Sequence, residues 1–301
     1  MKRYKSILVG LGDDERDASL IRYAGLIARM AQTEQITFAH IEPSAAPSDR
    51  AGDSTPPGSV ALLREEMDDT VREAFDGPPG IRIQTLVKDG SLLDEMLDLT
   101  RTTEADLILV GQGSRDGAFA EHLARKAPCS VVILPLDAAI SVERVLVPVD
   151  FSKHAADAVE VAVAFAESAG LGEVHLLHVY GTPTKTDRFH ENSTYTLRRR
   201  AEEAAERFLA DLDLRGLEPV LHFVIGLDVP EAIGKAVQQL EADLLVVGAR
   251  GRTPGAALLM GSVAEALVRQ VATPLVAVKK KGVTLKLLDA LLERSSSGRF
   301  A

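Results

Sequence analysis

The sequence predicts an α/β protein with two tandem, doubly wound domains, each containing a sheet of five parallel strands. The first observation is an internal repeat. The segments that begin at Ser6 and at Arg144 follow the same order of apolar run, loop, amphipathic helix and second apolar run. Two halves of nearly equal length with matching order indicate a duplicated domain. The second observation is that runs such as LILV and LLVV are continuously apolar, which is typical of parallel strands buried on both faces.

The remaining elements continue the repeat. Amphipathic helices separate the apolar runs; HAADAVEVAVAFAESAG, for example, carries apolar residues at helical spacing and ends at Gly170. Each half therefore contains five strands and four helices in a Rossmann-like arrangement, with right-handed crossovers expected. We place the domains at residues 1–140 and 141–281, followed by a tail, 282–301, with a short amphipathic helix and a frayed end. The other matched segments are IRIQTLVKDG with PVLHFVIGLD, ADLILVG with ADLLVVG, and APCSVVILP with VATPLVAVK.

Composition excludes several classes of protein. The 301 residues carry 44 acidic and 34 basic side chains, a net charge of −10, which disfavours broad nucleic-acid binding because phosphate contacts need clustered Lys and Arg. The single cysteine, Cys129, excludes an intrachain disulfide and a Cys-based zinc site. No apolar run approaches the roughly 18 residues of a membrane span, and the N-terminal run is too short for a signal peptide. We therefore expect a cytoplasmic protein.

Open parallel sheets bind ligands beyond the carboxyl ends of their strands, where the strand order reverses. In the second half, the loops at this position are VPVDFS and GARGRTPGAALLMGS. The glycines of the second loop allow positive φ and close approach, so that N–H groups can converge on anionic oxygens. Ser262 has the position of an N-cap for the next helix, whose first turn favours phosphate, and Arg250 and Arg252 add charged donors. A flexible loop with an ordinary helix cap is the alternative.

Asp150, directly after the first strand of the second half, has two interpretations. It precedes Ser152 by two residues and so has a position common for acidic residues at helix N-termini. It also lies in the loop that neighbours the glycine-rich loop in a doubly wound sheet. The glycine motif favours contact with a ligand, and helix capping is the alternative.

The spacing Gly248-x2-Gly251-x9-Gly261-Ser262 resembles the ATP-binding signature of the universal stress protein family. VLVPVDFS resembles the family's first strand with its acidic residue, and VIGLDVPEAI resembles its Gly–Pro segment. The resemblance extends over nearly the whole chain except the tail, as two domains of the adenine-nucleotide-binding type. It implies ATP as the ligand, without distinguishing ADP or AMP, and a divalent cation such as Mg²⁺ could offset the phosphate charge.

The binding residues of the family can be carried over to matching positions of the second domain. Asp150 and its two preceding neighbours would meet the adenine and ribose, and the residue that ends the second strand would contact adenine through its backbone. The end of the fourth strand would lie under the nucleoside, and the glycine-rich loop and the next helix would surround the phosphates. The resemblance thus implies twelve cofactor-binding residues: Pro148, Val149, Asp150, Val179, Val247, Gly248, Arg250, Gly251, Gly261, Ser262, Val263 and Ala264.

The first domain departs from this pattern. Gly12 stands where Asp150 stands in the second half, and Ala118 stands in place of Ser262. The glycine loop is seven residues shorter, and Asp116 adds a negative charge that would repel phosphate. We therefore predict that the first site is degenerate and that the second domain binds the nucleotide.

No nucleophile and base have a suitable spacing, so we assign no catalytic residue. His175 and His178, three residues apart in a strand, point to opposite faces and cannot chelate one metal, and we assign no metal site.

The leading hypothesis is a stress-response regulator that binds ATP, with the two halves as an internal pseudo-dimer and chains able to pair again as a homodimer. A slow ATP hydrolase using the same site and a nucleotide-free adaptor or ligand-binding module are the alternatives.

Overall fold

The computed structural model divides into two compact units, one ending at Ile140 and one beginning at Ser141. We call them the first and the second unit. Arg250, Gly251 and the predicted tail, 282–301, lie outside the described residues. Within the part of the chain that is described, no helix is both long and apolar enough to cross a membrane. The described residues are 3–12, 14, 16–43, 59–112, 118–181, 193–249, 260–270 and 272–279.

Strands and helices alternate through the first unit. The elements are β1 (Ser6–Leu11), α1 (Asp17–Ala31), β2 (Gln35–Pro43), α2 (Ser59–Ala74), β3 (Arg82–Gly90), α3 (Leu92–Thr102), β4 (Leu107–Gly111), α4 (Phe119–Lys126) and β5 (Ser130–Leu134). The strands pair in parallel in the order β3-β2-β1-β4-β5. The strand order therefore reverses between β1 and β4, which is where open parallel sheets bind ligands.

The second unit repeats this arrangement. Its elements are β6 (Val145–Pro148), α5 (Lys153–Ser168), β7 (Glu173–Tyr180), α6 (Ser193–Ala210), β8 (Glu218–Ile225), α7 (Val229–Gln239), β9 (Leu244–Gly248), α8 (Ser262–Gln270) and β10 (Leu275–Val278). The parallel strand order is β8-β7-β6-β9-β10, and the reversal lies between β6 and β9. The predicted fold class, two tandem, doubly wound domains with parallel sheets of five strands, is confirmed over the described residues.

The central strands are buried on both faces, as their continuous apolar runs predict. Leu107, Ile108 and Leu109 of β4 and Leu245 and Val246 of β9 are each 0% exposed. Consecutive strand residues point to opposite faces, so full burial of neighbours requires helices on both sides of the sheet. In the second unit, α5 packs against both β6 and β9. These layers hold the strand ends in place and thereby position the loops that follow them.

The aspartate directly before the fourth strand of each unit fixes the position of that strand beside the first strand. The carboxylate of Asp106 accepts hydrogen bonds from the backbone N–H groups of Lys5 and Ser6, at 3.0 and 3.1 Å. In the second unit, the carboxylate of Asp243 accepts the corresponding bonds from the two residues before β6, at 2.6 and 2.9 Å. Each aspartate thus joins the two strands between which the strand order reverses.

Candidate functional site

The ends of β6 and β9 lie side by side in the second unit. Val145 pairs with Leu244 and Leu146 with Leu245, so the two strands run next to each other toward their carboxyl ends. On its other side, β6 pairs with β7 as far as Pro148. The structure therefore brings five of the predicted site residues to one edge of the sheet: Pro148, Val149, Asp150, Val247 and Gly248.

The chain just beyond β6 is held by three contacts. The N–H of Val149 donates to the carbonyl of Leu177 at 2.8 Å, and the carbonyl of Val149 accepts from Nδ1 of His178 at 2.7 Å. Phe151 has a left-handed backbone, with φ of 61°, and its ring stacks on His178 with centroids 4.3 Å apart. A non-glycine residue at positive φ persists only where its surroundings enforce it. Asp150 is therefore placed between two anchored residues.

Asp150 does not cap the helix that follows. Its Oδ1 accepts a hydrogen bond from the N–H of Ser152 at 3.0 Å, which forms a local turn. Ser152 itself is the N-cap of α5, since its Oγ accepts from the N–H of Ala155 at 3.2 Å. The half-buried Asp150 carboxylate therefore shapes the loop at the end of β6, while the capping role belongs to Ser152.

Val179 lies near the end of the neighbouring strand, β7, where it is half-buried. The chain turns tightly against it after β8, because the N–H of Gly226 donates to the carbonyl of Tyr180 at 3.1 Å. A Cβ atom at Gly226 would lie 3.1 Å from Cγ1 of Val179 and 2.9 Å from Cβ of Ala232. Glycine is needed there because a side chain would displace Val179, the residue that the resemblance assigns to adenine.

The loop between β9 and α8 closes at its base. The N–H of Ala249 donates to the carbonyl of Val278 at 2.9 Å, and the carbonyl of Ala249 accepts from the N–H of Gly261 at 2.8 Å. The start of α8 is therefore tied to the end of β9. Arg250 and Gly251, which were predicted to meet the phosphates, belong to the part of this loop that is not described.

The first turn of α8 presents backbone donors at this edge of the sheet. The helix begins at Ser262 itself, whereas an N-cap at Ser262 would place the first helical residue at Val263. The first backbone hydrogen bond of the helix runs from the N–H of Glu265 to the carbonyl of Gly261, at 2.9 Å. The first N–H groups of a helix have no acceptor within the helix. Because Gly261 already donates to Ala249, the donors that the helix offers to an anion are the amides of Ser262, Val263 and Ala264.

The equivalent edge of the first unit has the same framework but different chemistry. His40, only 4% exposed, places Nδ1 at 3.2 Å from the carbonyl of Leu11, just as His178 does with Val149. The N–H of Gly12, at the position of Asp150, donates to Oδ1 of Asp17 at 2.8 Å. A carboxylate of α1, that of Asp17, thus bonds the backbone at the position that Asp150 occupies in the second unit.

His175 and His178, both on β7, have separate partners. Nδ1 of His175 lies 3.0 Å from Nε2 of His222 on β8, and the two rings stack, whereas His178 contacts Val149 and Phe151. Burial, and secondarily His175, lowers the pKa of His222. Across the described ranges, no group of three or more His, Cys, Asp or Glu side chains is arranged to hold a metal ion.

His178 is not among the residues predicted from the sequence to form the site. A signal was present in the repeat, because histidine occupies the same position in both halves, at His40 and at His178. In each unit this side chain bonds the carbonyl just before the residue at the Asp150 position. Matching the two halves residue by residue would have marked this position as a candidate, and the structure supplies the contact that orients the loop after the first strand.

The fold and the loops at the strand ends define a class of protein: two repeated, doubly wound α/β domains, each with its candidate ligand edge where the strand order reverses. The model of the universal stress protein family matches residues 3–135 and 141–279. The chain belongs to this family.

Individual relatives agree with this assignment. A universal stress protein from Mycolicibacterium smegmatis is 41% identical over 58 residues, a match that covers 19% of this chain and 45% of that protein, so the matched stretch spans about half of the relative. A protein of unknown function from Pseudomonas aeruginosa PAO1 has a similar structure, with a TM-score of 0.68 and 20% identity, covering 97% of this chain and 98% of the other. A universal stress protein from Archaeoglobus fulgidus DSM 4304 has a TM-score of 0.65 and 19% identity, covering 92% and 97%. At these identities the structural similarities show the fold.

Proposed function

We propose that the second unit binds ATP and that the protein is a nucleotide-dependent regulator of the stress response. The observation that carries this proposal is the closed base of the β9–α8 loop, where the hydrogen bond from Gly261 to Ala249 ties the start of α8 to the sheet. This bond directs the free first-turn amides of the helix to the edge where β6 and β9 end side by side. A helix N-terminus at the switch point of a parallel sheet favours phosphate.

The other residues of this edge suit the nucleoside. In the proposed complex, the adenine and ribose lie near Asp150 and Val179, and the nucleoside packs on Val247 and Gly248, the last two residues of β9. The phosphates accept from the amides of Ser262, Val263 and Ala264, with Arg250 and Gly251 assigned to them by the family resemblance. A magnesium ion would be held mainly by the phosphate oxygens and water, as is usual for Mg²⁺ bound with a nucleotide.

The proposed role of ATP is regulatory. A ligand shifts a conformational or assembly equilibrium by the difference between its affinities for the two states. In our proposal, this equilibrium is the pairing of the two units as a pseudo-dimer and of whole chains as a homodimer. Such a regulator would act in the cytoplasm, where ATP is abundant.

Binding without turnover is the preferred form of this proposal. Hydrolysis of ATP needs a positioned water and a group that orients or deprotonates it. Asp150, a carboxylate at this edge in the second unit, accepts a hydrogen bond from the N–H of Ser152 and is assigned to the nucleoside, away from the phosphates. A slow hydrolase would instead show turnover that Asp150→Ala abolishes while ATP binding is retained.

Extraction of the bound nucleotide tests the proposal. We expect purified wild-type protein to carry adenine nucleotide, and Gly251→Val to carry about tenfold less, because a β-branched side chain blocks close approach of phosphate to the loop. Gly113→Val, in the shorter loop of the first unit, is the matched control and should retain the wild-type amount. Nucleotide would be quantified by chromatography of the heat-released fraction, with circular dichroism to verify folding. Equal nucleotide in the wild type and in folded Gly251→Val would disprove the site.

A further inference from the structure

The first unit contains a cavity of about 500 Å³ where β1 to β4 end. Its walls include Leu11, Leu20, Ile41, Val110 and Phe119, together with glycines from three of the strands. Sites for small molecules are typically concave, mostly apolar and of roughly 300–1,000 Å³. The cavity therefore has the size and lining of a ligand site, although it belongs to the unit whose phosphate loop is shortened.

The charged groups of this cavity are mainly acidic. The described lining carries two carboxylates, Asp14 and Asp17, one guanidinium, Arg16, and the imidazole of His40, whose Nε2 lies 2.7 Å from the carboxylate of Glu42. Arg16 forms an ion pair with Asp14, with Nε at 2.9 and 2.8 Å from the two carboxylate oxygens. Asp17 is only 7% exposed, so its charge acts in a poorly solvated environment where electrostatic interactions are stronger. The electrostatics of these walls favour a cation over an anion.

Two features of the described residues at this edge disfavour an anion. The N–H of Gly12 donates to Asp17 at 2.8 Å and so is not available to an anion. At the start of α4, Phe119 occupies the position of Val263 and lines the cavity with a buried ring. A phenyl group therefore stands beside the helix start that would otherwise receive phosphate.

We propose that the cavity of the first unit binds a small organic cation with an aromatic or aliphatic body. The amino group lies on the side of Asp17, because Arg16 already pairs with Asp14, and the apolar body packs against Leu11, Leu20 and Phe119. This site is separate from the nucleotide site of the second unit and does not depend on it. The chain would then be a two-ligand protein, with an anionic nucleotide in one unit and an amine in the other.

Three indole probes of nearly equal shape test the charge preference. Tryptamine carries an ammonium group, tryptophol a hydroxyl group and indole-3-propionate a carboxylate on similar side chains. Binding would be followed through the backbone amide signals of Gly10, Gly12 and Gly111 in NMR titrations of the full chain. We expect tryptamine to bind about tenfold more tightly than indole-3-propionate, with tryptophol between them.

Two variants and one control assign the effect to the cavity. Asp17→Asn removes the charge but keeps an oxygen acceptor for the N–H of Gly12. It should weaken tryptamine binding about fivefold and reduce the difference in affinity between tryptamine and indole-3-propionate. Gly111→Val fills the cavity and should weaken binding of all three probes; a Cβ there meets Cδ1 of Leu20 at 3.7 Å, an ordinary contact. Asp137→Asn makes the same charge change at an exposed position outside the cavity lining, and should have no effect.

Four results would overturn the proposal. Indole-3-propionate binding as tightly as tryptamine would overturn it, as would the absence of tryptamine binding at millimolar concentration. Shifts confined to glycines of the second unit, or unchanged tryptamine binding in both folded cavity variants, would also overturn it. None of these results bears on nucleotide binding, which Gly251→Val tests separately.

Discussion

Replacing Ser262 by proline is expected to weaken ATP binding by about 10- to 100-fold. The substitution deletes the first-turn N–H that we assign to the phosphates, and a hydrogen bond to a charged group contributes about 1.5–3 kcal/mol. The helix should be retained, because Ser262 is the first residue of α8 and proline is tolerated at the first helical position. Affinity would be measured by isothermal titration calorimetry on nucleotide-free protein.

Ser262→Ala is the matched control, because it removes the hydroxyl group and keeps the backbone donor. The exposed Ser262 side chain is not the N-cap of α8, so this variant should keep most of the affinity. The difference between the two variants isolates the contribution of the amide. Equal affinities for Ser262→Pro and Ser262→Ala would show that the start of α8 does not bind the phosphates.

The second large effect is on stability: Asp106→Ala is expected to lower the free energy of unfolding of the first unit by about 3 kcal/mol. Asp106 is 6% exposed, and its carboxylate accepts two backbone hydrogen bonds, from Lys5 and Ser6. The substitution removes both bonds to a charged acceptor and leaves two partly buried donors without it. Urea denaturation followed by circular dichroism would measure the change.

The repeated structure provides controls for this prediction. Asp243→Ala removes the equivalent pair of bonds in the second unit and should destabilise that unit to a similar extent. Asp137→Ala, at an exposed position after β5, should change stability by no more than about 0.5 kcal/mol. If Asp106→Ala unfolded at the same urea concentration as Asp137→Ala, the aspartate would not be the group that joins the two strands.

The fold could be predicted from the sequence because its signals are long and repeated. Runs such as the one from Leu107 to Val110 are too apolar for a strand with a solvent-exposed face, and each recurs in the other half in the same order. The difference between the two units at the Asp150 position also follows from the sequence, because Gly12 has no side chain. The structure adds that a carboxylate from α1, that of Asp17, bonds Gly12 instead.

The helix caps and helix starts could not be assigned from the sequence alone, because neighbouring residues suit the same position. Asp150 and Ser152 are both good helix caps, and only the hydrogen bond from Ala155 to Ser152 distinguishes them. Gly261 and Ser262 can both precede a helix, so the predicted start of α8 is one residue later than the observed start.

The lining and the charge of the first unit's cavity could not be predicted from sequence. Its shape depends on how Leu20, Ile41 and Phe119, which are distant in sequence, pack around the strand ends. Side-chain packing of this kind leaves no periodic pattern in the chain. The shortened loop indicated the loss of a phosphate site and was compatible with a different, apolar ligand, but it did not indicate the charge of that ligand.

The stoichiometry of ATP binding to the full, nucleotide-free chain tests the central claim most directly. If the second unit alone binds the nucleotide, calorimetric titration should give one ATP per chain, and Ser262→Pro should weaken that single site. Two equivalent sites per chain, or one site unaffected by Ser262→Pro, would contradict the account.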